Sequence, residues 1–174
     1  MSTLTIVVDA QNDFVTGVLG TEEAEIAAQN IAKELEKGKD ILVFTADRHM
    51  EKEYEETEES KYVPKHCIIG TEGADIVPAI SKFSKDRLIF SKNTFACPAL
   101  VYYIRLLGDL GDIDKIKIMG LCTDVCVISN ALLLRSYFPY TPIHVISSCC
   151  AGTTPKAHEQ ALNIMLNCGI YIEA

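Results

Sequence analysis

The feature that most constrains this chain is an alternation. Short runs of apolar and β-branched residues, too apolar to keep one face wet, are separated by segments whose apolar residues recur at helical spacing. The runs are LTIVVD (4–9), DILVFTA (40–46), RLIFSK (87–92), KIKIMGL (115–121), PIHVISS (142–148) and IYIE (170–173). Strands apolar on both sides belong in a parallel sheet with helices on both faces. Between the first two runs, Ala24, Ala27, Ala28, Ile31 and Leu35 form a helical stripe that Thr21 can cap and Gly38 can end. Residues 98–107 and 124–137 read as further helices, and a last one opens at Thr154-Pro155 and stops at Gly169. The expected fold is α/β: a three-layer α/β/α, Rossmann-like arrangement around a mostly parallel six-stranded sheet. No repeat or linker divides the sequence, so residues 1–174 are expected to form one domain.

In an open α/β sheet the functional crevice lies beyond the carboxyl ends of the strands. Those ends carry Asp9, then Asp47 with His49, then Lys92, and Cys126 follows the fourth strand. If Thr123 caps the next helix, Cys126 sits in its first turn, where unpaired N–H groups and the helix dipole favour a thiolate. A Lys92 ammonium would lower the thiol pKa further, and Asp9 could take the thiol proton. Backbone amides around Cys122 and Cys126 are suitable donors to an oxyanion. The competing reading of Cys126 is a buried structural thiol, and a Cys122–Cys126 redox pair is a third. Cys149 and Cys150 read as core filler at a strand end.

A net charge of −8 gives no basic footprint for nucleic acid. No apolar run is long enough to span a membrane, and MSTLTIVVD lacks the basic start of a signal peptide. Seven scattered cysteines, an odd number, suit a reducing compartment, so a cytoplasmic location is expected.

The segment after the second strand, DRHMEKEYEETEESKYVPKHC (47–67), holds Asp47, His49 and His66. One carboxylate and two imidazoles suit Zn²⁺, Fe²⁺ or Mn²⁺. An Asp-x-His pair is also common on surfaces, and 51–60 reads equally as a solvated acidic loop. His144 reads as a satisfied strand histidine, His158 as solvated, and Asp124 as a helix cap or corner support. Gln11 and Asn12 divide evenly between site and loop support.

DAQNDF (9–14), SKNTFA (91–96) and GLCTDVCV (120–127), in this order, resemble the isochorismatase-like cysteine hydrolase superfamily. The resemblance spans essentially the whole chain and implies the isochorismatase-like hydrolase fold. It implies a triad of Cys126, Asp9 and Lys92, and a non-proline cis peptide at Leu121–Cys122 that aims the Cys122 and Cys126 amides at a substrate oxygen. A nucleophilic cysteine favours amide hydrolysis through a thioester over vinyl-ether cleavage.

Asp47-x-His49, Pro64-x-His66-Cys67 and GTEGADI (70–76) resemble the nicotinamidase/pyrazinamidase branch of that superfamily. This implies one divalent metal, zinc first with iron or manganese as alternatives, held by Asp47, His49 and His66. Glu59 is the implied fourth ligand and Glu58 the reserve. Phe14, Val63, Phe95 and Leu121 are the implied substrate contacts; Val63 stands where relatives place an aromatic residue, and the chain has no tryptophan. The expected activity is hydrolysis of nicotinamide to nicotinate and ammonia. Alternatives are another amidase or ureidohydrolase acting on N-carbamoyl-type substrates, or a catalytically silent interaction module. The expected partners are a small-molecule amide and further copies of the chain.

Overall fold

In the computed structural model, which describes residues 2–38, 40–109 and 113–174, six parallel strands form one sheet. They are β1 (Thr3–Val8), β2 (Ile41–Asp47), β3 (Leu88–Lys92), β4 (Lys115–Leu121), β5 (Ile143–Ala151) and β6 (Tyr171–Glu173), in the order β3-β2-β1-β4-β5-β6. The helices are α1 (Asn12–Val15), α2 (Glu22–Glu36), α3 (Glu51–Glu55), α4 (Pro78–Ser84), α5 (Pro98–Asp109), α6 (Ile128–Tyr137) and α7 (Pro155–Asn167). The chain winds outward from β1 to β3, returns to lay β4 beside β1, then winds outward the other way. The point of reversal, between β1 and β4, is where such sheets open a crevice.

The central strands are apolar on both faces because both faces are covered: Leu4, Ile6, Val7 and Val8 of β1 and Ile116, Ile118 and Met119 of β4 are all fully buried. Gly120 lets β4 pass close to β1. Its φ is +136°, and a Cβ there would lie 2.0 Å from the Val8 carbonyl oxygen. Thr21 and Thr154 cap α2 and α7, each hydroxyl accepting from the amide three residues on, Ala24 and Ala157, at 3.1 Å.

Three expectations need correction. Strand β5 runs to Ala151 rather than 148: Cys149 and Cys150 are buried inside it, and the register slips between Ile118 and Gly120 of its neighbour. The acidic stretch read as a solvated loop contains α3 and a 3₁₀ turn at Glu59–Lys61, organised by the buried ring of Tyr54. Thr123 is not a helix cap. Residues Thr123–Val127 form a π-helical turn ahead of α6, Cys122 occupies the cap position, and the Thr123 hydroxyl bonds His158 Nδ1 at 2.8 Å instead.

Candidate active site

Asp9 leaves β1 with a φ of 47°, a left-handed turn that swings its side chain under the β1–β4 crevice. Its amide donates to the Thr45 carbonyl at 3.2 Å, and the Thr45 hydroxyl donates to Asp9 Oδ1 at 2.7 Å. Lys92, the last residue of β3, is paired in register with Asp47 and reaches inward across β2. Its ammonium lies 2.7 Å from Asp9 Oδ2, 3.4 Å from Asp47 Oδ1 and 3.6 Å from Cys126 Sγ. Three strand ends and one turn therefore meet at a single ammonium. The Leu121–Cys122 peptide is cis. Asn130 of α6 holds the turn from behind, donating to the Cys126 carbonyl at 2.8 Å and accepting from the Cys97 amide at 2.8 Å.

The electrostatics differ from the expected thiolate. Burial, reinforced by the charge of Asp9, pushes the Cys126 thiol well above its ordinary value, and Lys92 only partly offsets this. Burial also raises Asp9, more than the neighbouring Lys92 ammonium lowers it. Burial works against the charge on Lys92, but Asp9, Cys126 and Asp47 together hold its pKa above the usual lysine range. Burial and the charge of Asp9 thus favour the neutral form of the Cys126 thiol, beside the Asp9–Lys92 pair at 2.7 Å. Proximity to a helix start does not overcome the cost of burying a thiolate.

On the far side of Asp47, a second group assembles. His49 Nε2 lies 3.1 Å and His66 Nε2 3.2 Å from Asp47 Oδ2, and Glu59 Oε1 lies 3.7 Å from His66 Nε2. The four donor atoms fall within 4.8 Å of one another, a group that could hold a metal ion. The donor set fits a divalent cation. The Nδ1–H of His66 donates to the Pro64 carbonyl at 2.9 Å, which leaves Nε2 free to face the group. His49 Nε2 is buried and, apart from its 3.1 Å approach to Asp47 Oδ2, meets no hydrogen-bond partner among the described residues, so it faces the same point. Burial raises Asp47, but bonds from His49 and His66 and the charge of Lys92 outweigh it and hold the carboxyl well below its usual range. Burial raises Glu59. Glu58 points away, its carboxylate ion-paired to Lys61 and largely exposed, so it does not join the group.

Between the two groups lies a cavity of about 240 Å³. Cys122 and Cys126 line it together with Asp47, Glu59 and His66 of the second group. Phe14, Leu19, Val63 and Val125 form apolar walls. Two expected contacts are absent from it. Phe95 is 43% exposed outside the cavity, and Leu121 is wholly buried in the sheet. A residue that ends a central strand points into the core as readily as into the crevice.

These features place the chain among known proteins. The family model for the isochorismatase domain matches residues 3–173. The chain belongs to the isochorismatase family. Within it, the chain is 25% identical to nicotinamidase 1 of Arabidopsis thaliana over 84% of this chain and 68% of that protein. Its fold is similar to a crystal structure of a nicotinamidase/pyrazinamidase from Bacillus subtilis, with a TM-score of 0.83, 23% identity and full coverage of both chains. It is also similar to a pyrazinamidase of Pyrococcus horikoshii solved in complex with zinc, with a TM-score of 0.77, 25% identity, and coverage of 99% of this chain and 98% of that one.

Several residues that support the site in this isochorismatase-family chain were not among the expected site residues. The Tyr54 hydroxyl donates to the Val63 carbonyl at 2.9 Å, and its phenol is raised to about 12 by burial and by the charges of Glu59 and Asp47. The Asp13 carboxylate accepts from the Cys67 amide at 2.7 Å. Thr45 and Asn130 complete the set; none is distinguishable in sequence from an ordinary strand or helix polar residue. Gln11 proves to be loop support, donating to the Asp47 and Ala74 carbonyls at 2.8 and 2.9 Å and accepting from the Asp47 amide at 2.7 Å. Asn12 donates to the Glu72 carbonyl at 2.7 Å. His158 is half-buried against Thr123 rather than solvated. The Asp124 carboxylate neither caps a helix nor faces the thiol; it accepts from the Thr153 amide at 2.8 Å and hydroxyl at 2.6 Å, and so braces the corner.

Proposed function

We propose that this protein is a metal-dependent cysteine amidohydrolase that converts nicotinamide to nicotinate and ammonia, with the whole chain as its single domain. At the coarser level it is a hydrolase acting on the carbon–nitrogen bond of an amide. The observation that carries the finer reading is that one cavity is lined both by Cys126 and by Asp47, Glu59 and His66. A nucleophile and a metal-binding group opening on one cavity of about 240 Å³ suit a small ring that carries both a carboxamide and a ring nitrogen. The similar Arabidopsis protein is a nicotinamidase, and a similar pyrazinamidase structure contains zinc.

Asp9 takes the proton from the Cys126 thiol as sulfur attacks the carboxamide carbon, which avoids a free buried thiolate. The Cys122 and Cys126 amides are the proposed donors to the oxyanion. Collapse expels the amine, which takes the proton back from Asp9 and leaves as ammonia, and a thioester remains on Cys126. Asp9 then accepts a proton from water as its oxygen attacks the thioester, and the departing sulfur recovers that proton. Lys92 stays charged throughout, and Thr45 fixes Asp9 Oδ1 so that the other oxygen handles the proton. Asp47, His49, His66 and Glu59 would hold the metal, zinc in the first instance, which when bound supplies a Lewis-acid partner for the ring nitrogen.

One observation favours a second reading, a different amidase of the same family. Among the lining residues Phe14 is the one buried phenyl ring and Tyr62 lies largely exposed at the surface, while Leu19, Val63 and Val125 are branched aliphatics that do not select a flat ring. Ammonia release from a panel of nicotinamide, pyrazinamide, aliphatic amides and N-carbamoyl compounds separates the two. Nicotinamide turnover that disappears on chelation and in Cys126→Ala supports the first; turnover only of non-ring amides replaces it with the second.

A further inference from the structure

Tyr54 belongs to no motif, yet it is 1% exposed and touches every part of the metal-binding group except the carboxylates. Its ring packs edge-on against His49 at 4.8 Å between centroids and 69°, and against His66 at 5.3 Å and 86°. The two imidazoles are themselves 5.0 Å apart, so the phenol ring is wedged against both. Its hydroxyl donates to the Val63 carbonyl at 2.9 Å, with the Pro64 carbonyl at 3.3 Å sharing the proton. The Pro64 carbonyl is also the acceptor that fixes the tautomer of His66. Short helix α3, which carries Tyr54, ends where the Thr57 hydroxyl donates to the Tyr54 carbonyl at 2.7 Å, anchoring the ring from the backbone side.

We propose that Tyr54 is a positioning residue for the metal group, its ring setting the planes of His49 and His66 and its hydroxyl holding the 63–64 carbonyls from which His66 hangs. The proposal rests on the metal reading of the site given above. Imidazole ligands depend on outer partners to hold the ring nitrogen in line, and loss of such a partner weakens metal binding by roughly ten- to a hundred-fold. Tyr54 does this for two ligands at once. Because the same hydroxyl pins Val63, it also fixes one wall of the substrate cavity.

The test is zinc affinity of chelator-stripped wild type, Tyr54→Phe and Tyr54→Leu, by competition with a chromophoric chelator, beside thermal melts of the metal-free proteins. Tyr54→Phe keeps the ring and loses the hydroxyl; it is expected to bind zinc about ten-fold more weakly or worse, with a metal-free melt within a few degrees of wild type. Tyr54→Leu, which also loses the wedge, is expected to bind more weakly still, and excess zinc should restore amide turnover to both variants. Equal zinc affinity in wild type and both variants overturns the role of Tyr54 and leaves the metal reading standing. No zinc uptake by wild type overturns both. A metal-free Tyr54→Phe protein that fails to fold also overturns the proposal, since the hydroxyl would then be holding the fold rather than the ligands.

Discussion

Replacing Lys92 with methionine isolates the electrostatics of the site. The aliphatic stem is retained, so packing changes little, while the ammonium 2.7 Å from Asp9 and 3.4 Å from Asp47 is lost. Asp9 is fully buried and Lys92 nearly so. Removing one partner of such a pair strands a buried charge and costs roughly 3–5 kcal/mol. At roughly 2–4 °C per kcal/mol for a chain of this size, the melting temperature should fall by about 10 °C. The cost should depend on pH in a definite sense. Asp9 already has a folded-state pKa above its unfolded value, and loss of Lys92 raises it further. Below the unfolded pKa both states carry the proton, and the variant is least impaired. As pH rises through the raised folded-state pKa, the folded protein must ionise a carboxyl with no counter-charge, and stability is lost. Urea unfolding of metal-free wild type and Lys92→Met between pH 5 and pH 8 should therefore show a gap that widens with pH. A gap below about 1 kcal/mol at pH 7, or one constant over that range, refutes the claim that Lys92 neutralises a buried carboxylate.

Other consequences follow from the same geometry. Because burial holds the Cys126 thiol above its ordinary value, its alkylation by iodoacetamide should keep rising with pH beyond 9, the ordinary thiol value, with no plateau near neutrality; mass mapping of the modified peptide reads this. The acid limb of kcat/KM should lie above the 3.8 of an ordinary aspartate, because Asp9 must be unprotonated to act and its pKa is raised. Gly120→Ala would press a Cβ to 2.0 Å from the Val8 carbonyl oxygen in a left-handed conformation, so denaturant unfolding should show a loss of roughly 3 kcal/mol or more. Thr21→Ala removes only the cap of α2 and should cost about 1 kcal/mol without changing turnover.

The sheet was legible because its strands are apolar on both faces, a pattern only a doubly covered parallel sheet accommodates. That order alone put Asp9, Asp47, Lys92 and Cys126 on one edge. The boundary that failed was set by tertiary contacts: β5 continues past Ser148 through Cys149, Cys150 and Ala151, where Gly120 and Leu121 of β4 pair with Cys150 and Ala151 after a shift in register. Helix α3 was hidden in a charge run, since the single buried residue that organises it, Tyr54, has no periodic companions in so short a segment. The upward shift of the Cys126 thiol was hidden for a different reason. Sequence reveals the helix start and the nearby lysine, but not the depth of burial that outweighs both. Phe95 and Leu121 were expected at the cavity from the resemblance, and membership of a motif says nothing about which way a side chain turns.

The central claim is that Cys126 takes the acyl group of nicotinamide, and the most direct measurement is the intact mass of the zinc-loaded protein quenched in acid during turnover. The account predicts a species heavier than the free protein by one nicotinoyl group, mapped to the peptide containing Cys126 and absent from Cys126→Ala. Ammonia release from nicotinamide that persists in Cys126→Ala, with no adduct in either protein, would contradict it.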